Sequence, residues 1–111
     1  MHEMGIIKNV MDSIEKVALE NGIEEIKKIK LIIGKQRAVM PEALFLGFEA
    51  FRKNTMFQTA SLEIENKDPL YVCESCTQKF NADFANECPF CKSAHIVLIE
   101  GDELVIDHFE F

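Results

Sequence analysis

The segment "CESCTQKFNADFANECPFC" holds all four cysteines of the chain: Cys73, Cys76, Cys88 and Cys91, two C-x2-C pairs with eleven residues between them. Two residues between cysteines let both thiolates of a pair face one ion from a tight turn. Two such turns supply four sulfurs in a tetrahedron, which suits Zn2+, a borderline-soft ion with no d-electron preference. Pro89 lies inside the second pair and stiffens that turn. Iron in a rubredoxin-like site uses the same ligands, so the residue types leave zinc and iron open. Two disulfides would need an oxidising compartment, and a thioredoxin-like redox pair would need a βαβ pattern that neither pair has. A closed four-sulfur site has no open coordination position, so its expected job is folding rather than catalysis. A lobe of about thirty residues buries too little surface to fold alone, and the ion must supply the stability.

A second set of donors stands at the start, Met1-His2-Glu3. A free α-amine has a pKa near ~8, so a metal readily displaces its proton. The Met1 amine, the His2 backbone nitrogen and the His2 imidazole can bind one ion through adjacent fused chelate rings. Using the amide nitrogen demands a metal such as Ni2+ or Cu2+ in a square-planar nitrogen field; Zn2+ hardly does it. The Glu3 amide or a water would give the fourth donor. The competing reading is an unordered terminal histidine. His95 follows Cys91 by four residues and reads as a polar loop or strand-edge residue, and His108 as a hydrogen-bonded strand histidine.

The elements that must position these groups follow from hydrophobic period. Residues 4–21 read as an amphipathic helix with Ile7, Val10, Met11, Ile14, Val17 and Ala18 on one stripe, closed by Asn21-Gly22. Ile29, Leu31 and Ile33 alternate in a strand that ends at Gly34. "MPEALFLGFEAFRKN" is a second helix, with Pro41 in its first turn and Leu44, Phe45, Phe48 and Phe51 as the core stripe. Leu62 and Ile64 alternate in a second strand. Tyr71 to about Ser93 shows little periodicity, and Gly101-Asp102 marks a turn between two final strands, the last returning to the first sheet. The expected class is therefore α+β: two helices packed on a small mixed sheet, with an inserted four-cysteine zinc-ribbon-like lobe. Residues 1–67 and 101–111 form the nickel-binding body on this reading, and 68–100 the zinc-binding insertion.

Composition bounds the function. Twelve basic against nineteen acidic side chains give −7, which disfavours a phosphate backbone as partner. No apolar run approaches ~20 residues and no signal-peptide pattern opens the chain, so no membrane role and a cytoplasmic location are expected. No Ser/His or Cys/His nucleophile pattern is visible, which argues against an enzyme.

"MHEM", "PEALFLGFEAF", the two cysteine pairs and "GDELVIDHFEF" occur in that order at this size. Together they resemble the HypA family of nickel metallochaperones for [NiFe]-hydrogenase maturation, over nearly the whole chain. The resemblance implies transported Ni2+ on Met1, His2 and the Glu3 backbone, and structural zinc on Cys73, Cys76, Cys88 and Cys91. It implies delivery to the hydrogenase large-subunit precursor with a HypB-type GTPase and, in some organisms, service to urease maturation proteins; the sequence leaves monomer and homodimer both open. Two departures stand out: Thr77 and Lys92 occupy positions where the family often has Gly, and Gly5 one where it often has Ser. The rival functions are a zinc-ribbon protein-interaction adaptor without nickel and an iron-based electron carrier.

Overall fold

The computed structural model describes residues 3–111. Its first element, α1 (Glu3–Glu20), buries Ile7, Val10, Met11, Ile14 and Ala18. Val17, expected on the same stripe, is 45% exposed. The helical rotation explains this: Val17 falls one step beyond Val10, which already lies at the stripe's edge. The helix ends as expected. Gly22 adopts φ 69, and the N–H groups of Gly22 and Ile23 donate to the carbonyls of Leu19 and Ala18, a Schellman closure.

The second helix, α2 (Pro41–Phe51), starts at the expected proline and packs against α1. Leu44 and Phe48 are buried, and Phe48 meets the buried Phe57 edge-on at 6.5 Å. Phe45 departs from the expected stripe and is 41% exposed, because it stands ~100° around the helix from Leu44. Gly47 faces α1, where an added Cβ would lie 2.8 Å from both the Met4 sulfur and an Ile7 methyl. Glycine lets the two helices approach this closely without displacing either side chain.

The strand β1 (Lys28–Gly34) buries Ile29, Leu31 and Ile33, as its alternation predicts. It is the centre of a three-stranded sheet with β2 (Ser61–Lys67) and β6 (Leu104–Glu110) on its edges. The pairs Lys28–Glu63 at 2.8 Å and Lys30–Glu65 at 3.2 Å rise together in number, so β1 and β2 run parallel. Backbone bonds from Lys27 to Glu110 and from Gly34 to Glu103 rise in opposite senses, so β6 runs antiparallel. The sheet is mixed, and the last strand does return to it.

A second sheet, order β4-β3-β5, is antiparallel throughout: β3 (Leu70–Cys73) lies between β4 (Lys79–Asn81) and β5 (Ile96–Glu100). The stretch from Tyr71, read as having little periodicity, contains β3 and β4. These strands are four and three residues long, too short to declare a period. Tyr71 and Phe80 are register partners, and their rings stack at 5.4 Å. The expected turn at Gly101 is present with φ 104, and a side chain there would strike Pro69.

The chain divides into two compact units. One comprises the chain up to Leu31, Val39–Glu65 and Ile106–Phe111; the other comprises Ile32–Ala38 and Asn66–Val105. The second therefore contains a 3-10 turn, Lys35–Arg37, drawn from outside the cysteine region. Gln36 in that turn donates from Nε2 to the Tyr71 hydroxyl at 3.1 Å and to the Asp83 carbonyl at 2.9 Å.

Candidate metal centre

The two cysteine turns are built to one plan. The N–H of Thr77 donates to the Cys73 carbonyl and that of Lys92 to the Cys88 carbonyl, at 2.8 and 2.9 Å. The N–H of Cys73 donates to the Gln78 carbonyl and that of Cys88 to the Ser93 carbonyl, at 3.0 and 2.8 Å. Each turn closes on a residue with φ 65, Thr77 in the first and Lys92 in the second. The left-handed geometry that favours glycine is thus kept without it. The two turns are joined by the Ser75 and Ser93 hydroxyls at 2.9 Å, and by the Glu74 N–H donating to the His95 carbonyl at 2.8 Å.

The result is a cluster in which all four sulfurs lie within 4.8 Å of one another. Cys73–Cys91 and Cys76–Cys88 stand 3.6 and 3.7 Å apart. A tetrahedron with metal–sulfur bonds of 2.3 Å has edges of ~3.8 Å, so the spacing fits one ion bound by four thiolates. It is far beyond a disulfide bond, and all four cysteines are free. Backbone N–H groups of Cys76 and Phe90 point at the sulfurs of Cys73 and Cys88, both at 3.4 Å.

Those donors set the thiol electrostatics. The Cys76 N–H does most to hold the Cys73 thiol down, at about 6. Burial works against Cys88, but N–H donors from Cys91 and Phe90 outweigh it and lower its pKa. At Cys91 the Ser93 N–H favours the thiolate, yet the Cys73 sulfur, burial and the remaining cysteines push it up to about 12. Four thiolates this close repel one another, and a divalent cation removes that conflict. Cys73 and Cys88 are fully buried and Cys91 is exposed.

Among the other sequence candidates, Met1 and His2 lie outside the described residues. Glu3 opens α1, and its Oε2 accepts the Met40 backbone N–H at 3.0 Å. His95 is exposed, just ahead of β5. His108 lies in β6 with its ring nitrogens on Asp107 at 2.8 Å and Glu110 at 3.3 Å. Sequence reasoning did not find the Met40 N–H, Gly47 or the Ser75–Ser93 bridge, because each depends on a partner distant in the chain. Nor did it find Phe57, buried within an irregular loop.

Fold and site together define a small α+β protein with a four-cysteine cluster that could hold a metal ion. The chain belongs to the HypA family, described as hydrogenase/urease nickel incorporation metallochaperone, which it matches over residues 1–111. This is a family of metallochaperones, not enzymes. The chain is 37% identical over 111 residues to the hydrogenase maturation factor HypA of Moorella thermoacetica, covering 99% of this chain and 98% of that one. It is 35% identical over 107 residues to the factor of the same name from Chlorobium limicola, covering 96% and 92%. Its fold is similar to the solution structure of the Ni metallochaperone HypA from Helicobacter pylori, with TM-score 0.69 at 23% identity over 99% and 97% of the two chains. A second HypA solution structure gives TM-score 0.75 at 23% identity over 99% and 95%. No helix among the described residues is long and apolar enough to cross a membrane.

Proposed function

We propose that this protein binds Ni2+ at a free amino terminus, through the Met1 amine, the His2 amide and imidazole and the Glu3 amide. It delivers the ion to the [NiFe]-hydrogenase large-subunit precursor with a HypB-type GTPase. The observation that carries this reading is the match to a nickel-incorporation family over the full length of the chain. The relatives above are named hydrogenase maturation factors, which favours hydrogenase over urease as recipient. The resident metal on Cys73, Cys76, Cys88 and Cys91 is Zn2+, supported by the convergence of four sulfurs within 4.8 Å and the sulfur-only donor set. When bound, zinc supplies cross-linking of the two turns and no open position for chemistry. Residues 1–67 and 101–111 carry the nickel role and 68–100 the zinc role, in the cytoplasm. A terminal chelate suits delivery because its donors can be surrendered one at a time.

The test is a Ni2+ titration of untagged, zinc-loaded protein by calorimetry and absorbance, beside His2→Ala. One nickel per chain in a planar nitrogen field, lost in the variant, is the expected result. Equal binding by both proteins would sink the amino-terminal site.

A further inference from the structure

Resting on that reading, we infer that the Glu3 carboxylate is a positioning group for nickel: it fastens the third residue of the chelate to the start of α2 by accepting the Met40 backbone N–H.

The need for such a fastening comes from both helices. The first turn of a helix frays unless something outside it holds it. At α2 the N-cap is Met40, whose side chain makes no capping hydrogen bond, and the next residue is Pro41. In a capping box, a Glu or Gln three residues into the helix reaches back to the N-cap N–H. Here that position is Ala43, which has no such group. Glu3 supplies the missing acceptor from another helix, with Oε2 at 3.0 Å from the Met40 nitrogen. Its negative charge also suits the positive end of the α2 dipole. The neighbouring packing points the same way. Gly47 of α2 admits Met4 and Ile7 so closely that a Cβ there would force their side chains to shift. One turn of α1 is therefore held by apolar contact and, at its tip, by the charge-assisted bond from Met40 to Glu3.

This separates two roles of one residue. The Glu3 backbone belongs to the proposed chelate, while its carboxylate accepts the Met40 N–H. A chelate whose third residue is already fixed loses less freedom on closing, so its metal is held longer.

The experiment measures nickel release from untagged, zinc-loaded protein, by stopped-flow transfer to a chelator, for wild type, Glu3→Ala, Glu3→Gln and the double variant Glu3→Ala/Ala43→Glu. Amide exchange at Met40 is followed by NMR in each. Glu3→Ala should keep the wild-type absorption band, lose protection at Met40 and release nickel roughly tenfold faster, the worth of one charge-assisted hydrogen bond. Glu3→Gln retains an acceptor oxygen and should stay within about threefold of wild type. The double variant recaps α2 from within, so it should recover Tm and Met40 protection while release stays fast. Wild-type release from Glu3→Ala, or slow release restored by Ala43→Glu, would overturn the inference. If His2→Ala binds nickel as tightly as wild type, the amino-terminal reading falls and takes this inference with it. A failing His2→Ala beside an unchanged Glu3→Ala sinks this inference alone.

Discussion

Thr77 and Lys92 occupy the same point of two equivalent turns: each lies four residues after the first cysteine of its pair, donates to that cysteine's carbonyl, and has φ 65. For a residue with a Cβ this conformation costs about 1 kcal/mol or more, and β-branching makes it worse.

Replacing either residue by glycine should therefore strengthen the metal-bound state. Lys92→Gly should gain about 1 kcal/mol. Thr77→Gly starts from greater strain but gives up the Thr77 hydroxyl's 2.6 Å bond to the Cys76 carbonyl, so its net gain should be similar or smaller. Chelator competition on zinc-loaded protein reads both as slower metal loss. Faster loss in Lys92→Gly would show that the lysine stabilises its turn by a route other than backbone geometry.

Metal content and removal test the cysteine cluster directly. Purified protein should carry one zinc per chain and be colourless, with four sulfurs at ~2.3 Å by X-ray absorption. A red protein with a reversible one-electron couple would make the ion iron. Cys88 is buried and receives an N–H at its sulfur, whereas Cys91 is exposed. Cys88→Ser should therefore abolish metal retention, and Cys91→Ser should weaken it while leaving the protein soluble and folded. Equal retention by both variants would remove this ranking.

His108 should titrate above the ordinary histidine value of 6.5, chiefly because Asp107 bonds its ring, with Glu110 adding to the effect. A raised folded pKa favours the charged form in the native state. Its contribution to stability is therefore fully present below 6.5 and disappears as pH rises through the folded value. The imidazole protons of His108 in an NMR titration should show the upward shift, and Asp107→Asn should reverse most of it. An unshifted midpoint would mean that the carboxylates do not hold the ring in solution.

Two glycine-to-alanine changes should have opposite signs. At Gly34 a Cβ would collide with the Gly101 backbone, which a neighbour's rotamer change does not relieve, so Gly34→Ala should cost about 3 kcal/mol or fail to fold. At Gly5, in the first turn of α1, a Cβ meets nothing within 4 Å. Gly5→Ala should add about 0.5 kcal/mol through helix propensity alone. Urea unfolding of both beside wild type checks the pair.

Much of this protein is legible from local pattern. The 3.6 period placed both helices, Pro41 and Gly22 marked ends that lie where expected, and Ile29, Leu31 and Ile33 declared a buried strand. The four cysteines announced one metal site because C-x2-C spacing is itself a local geometry, and their sulfurs do converge. Stripe membership was less secure at its edges: Val17 and Phe45 carry apolar side chains, yet a rotation past the contact line leaves them in solvent.

Other features existed only once the chain had folded. Strands as short as β3 and β4 have no period to read and are fixed by pairing with neighbours. The turn Lys35–Arg37 belongs with the cysteine-bearing unit because Gln36 reaches Tyr71 and Asp83, both more than thirty residues on. Sequence placed Glu3 in the candidate nickel chelate through its backbone and gave Met40 no role. Tertiary structure joined them, because a helix start that lacks its own acceptor takes one from whatever the fold brings within 3.0 Å.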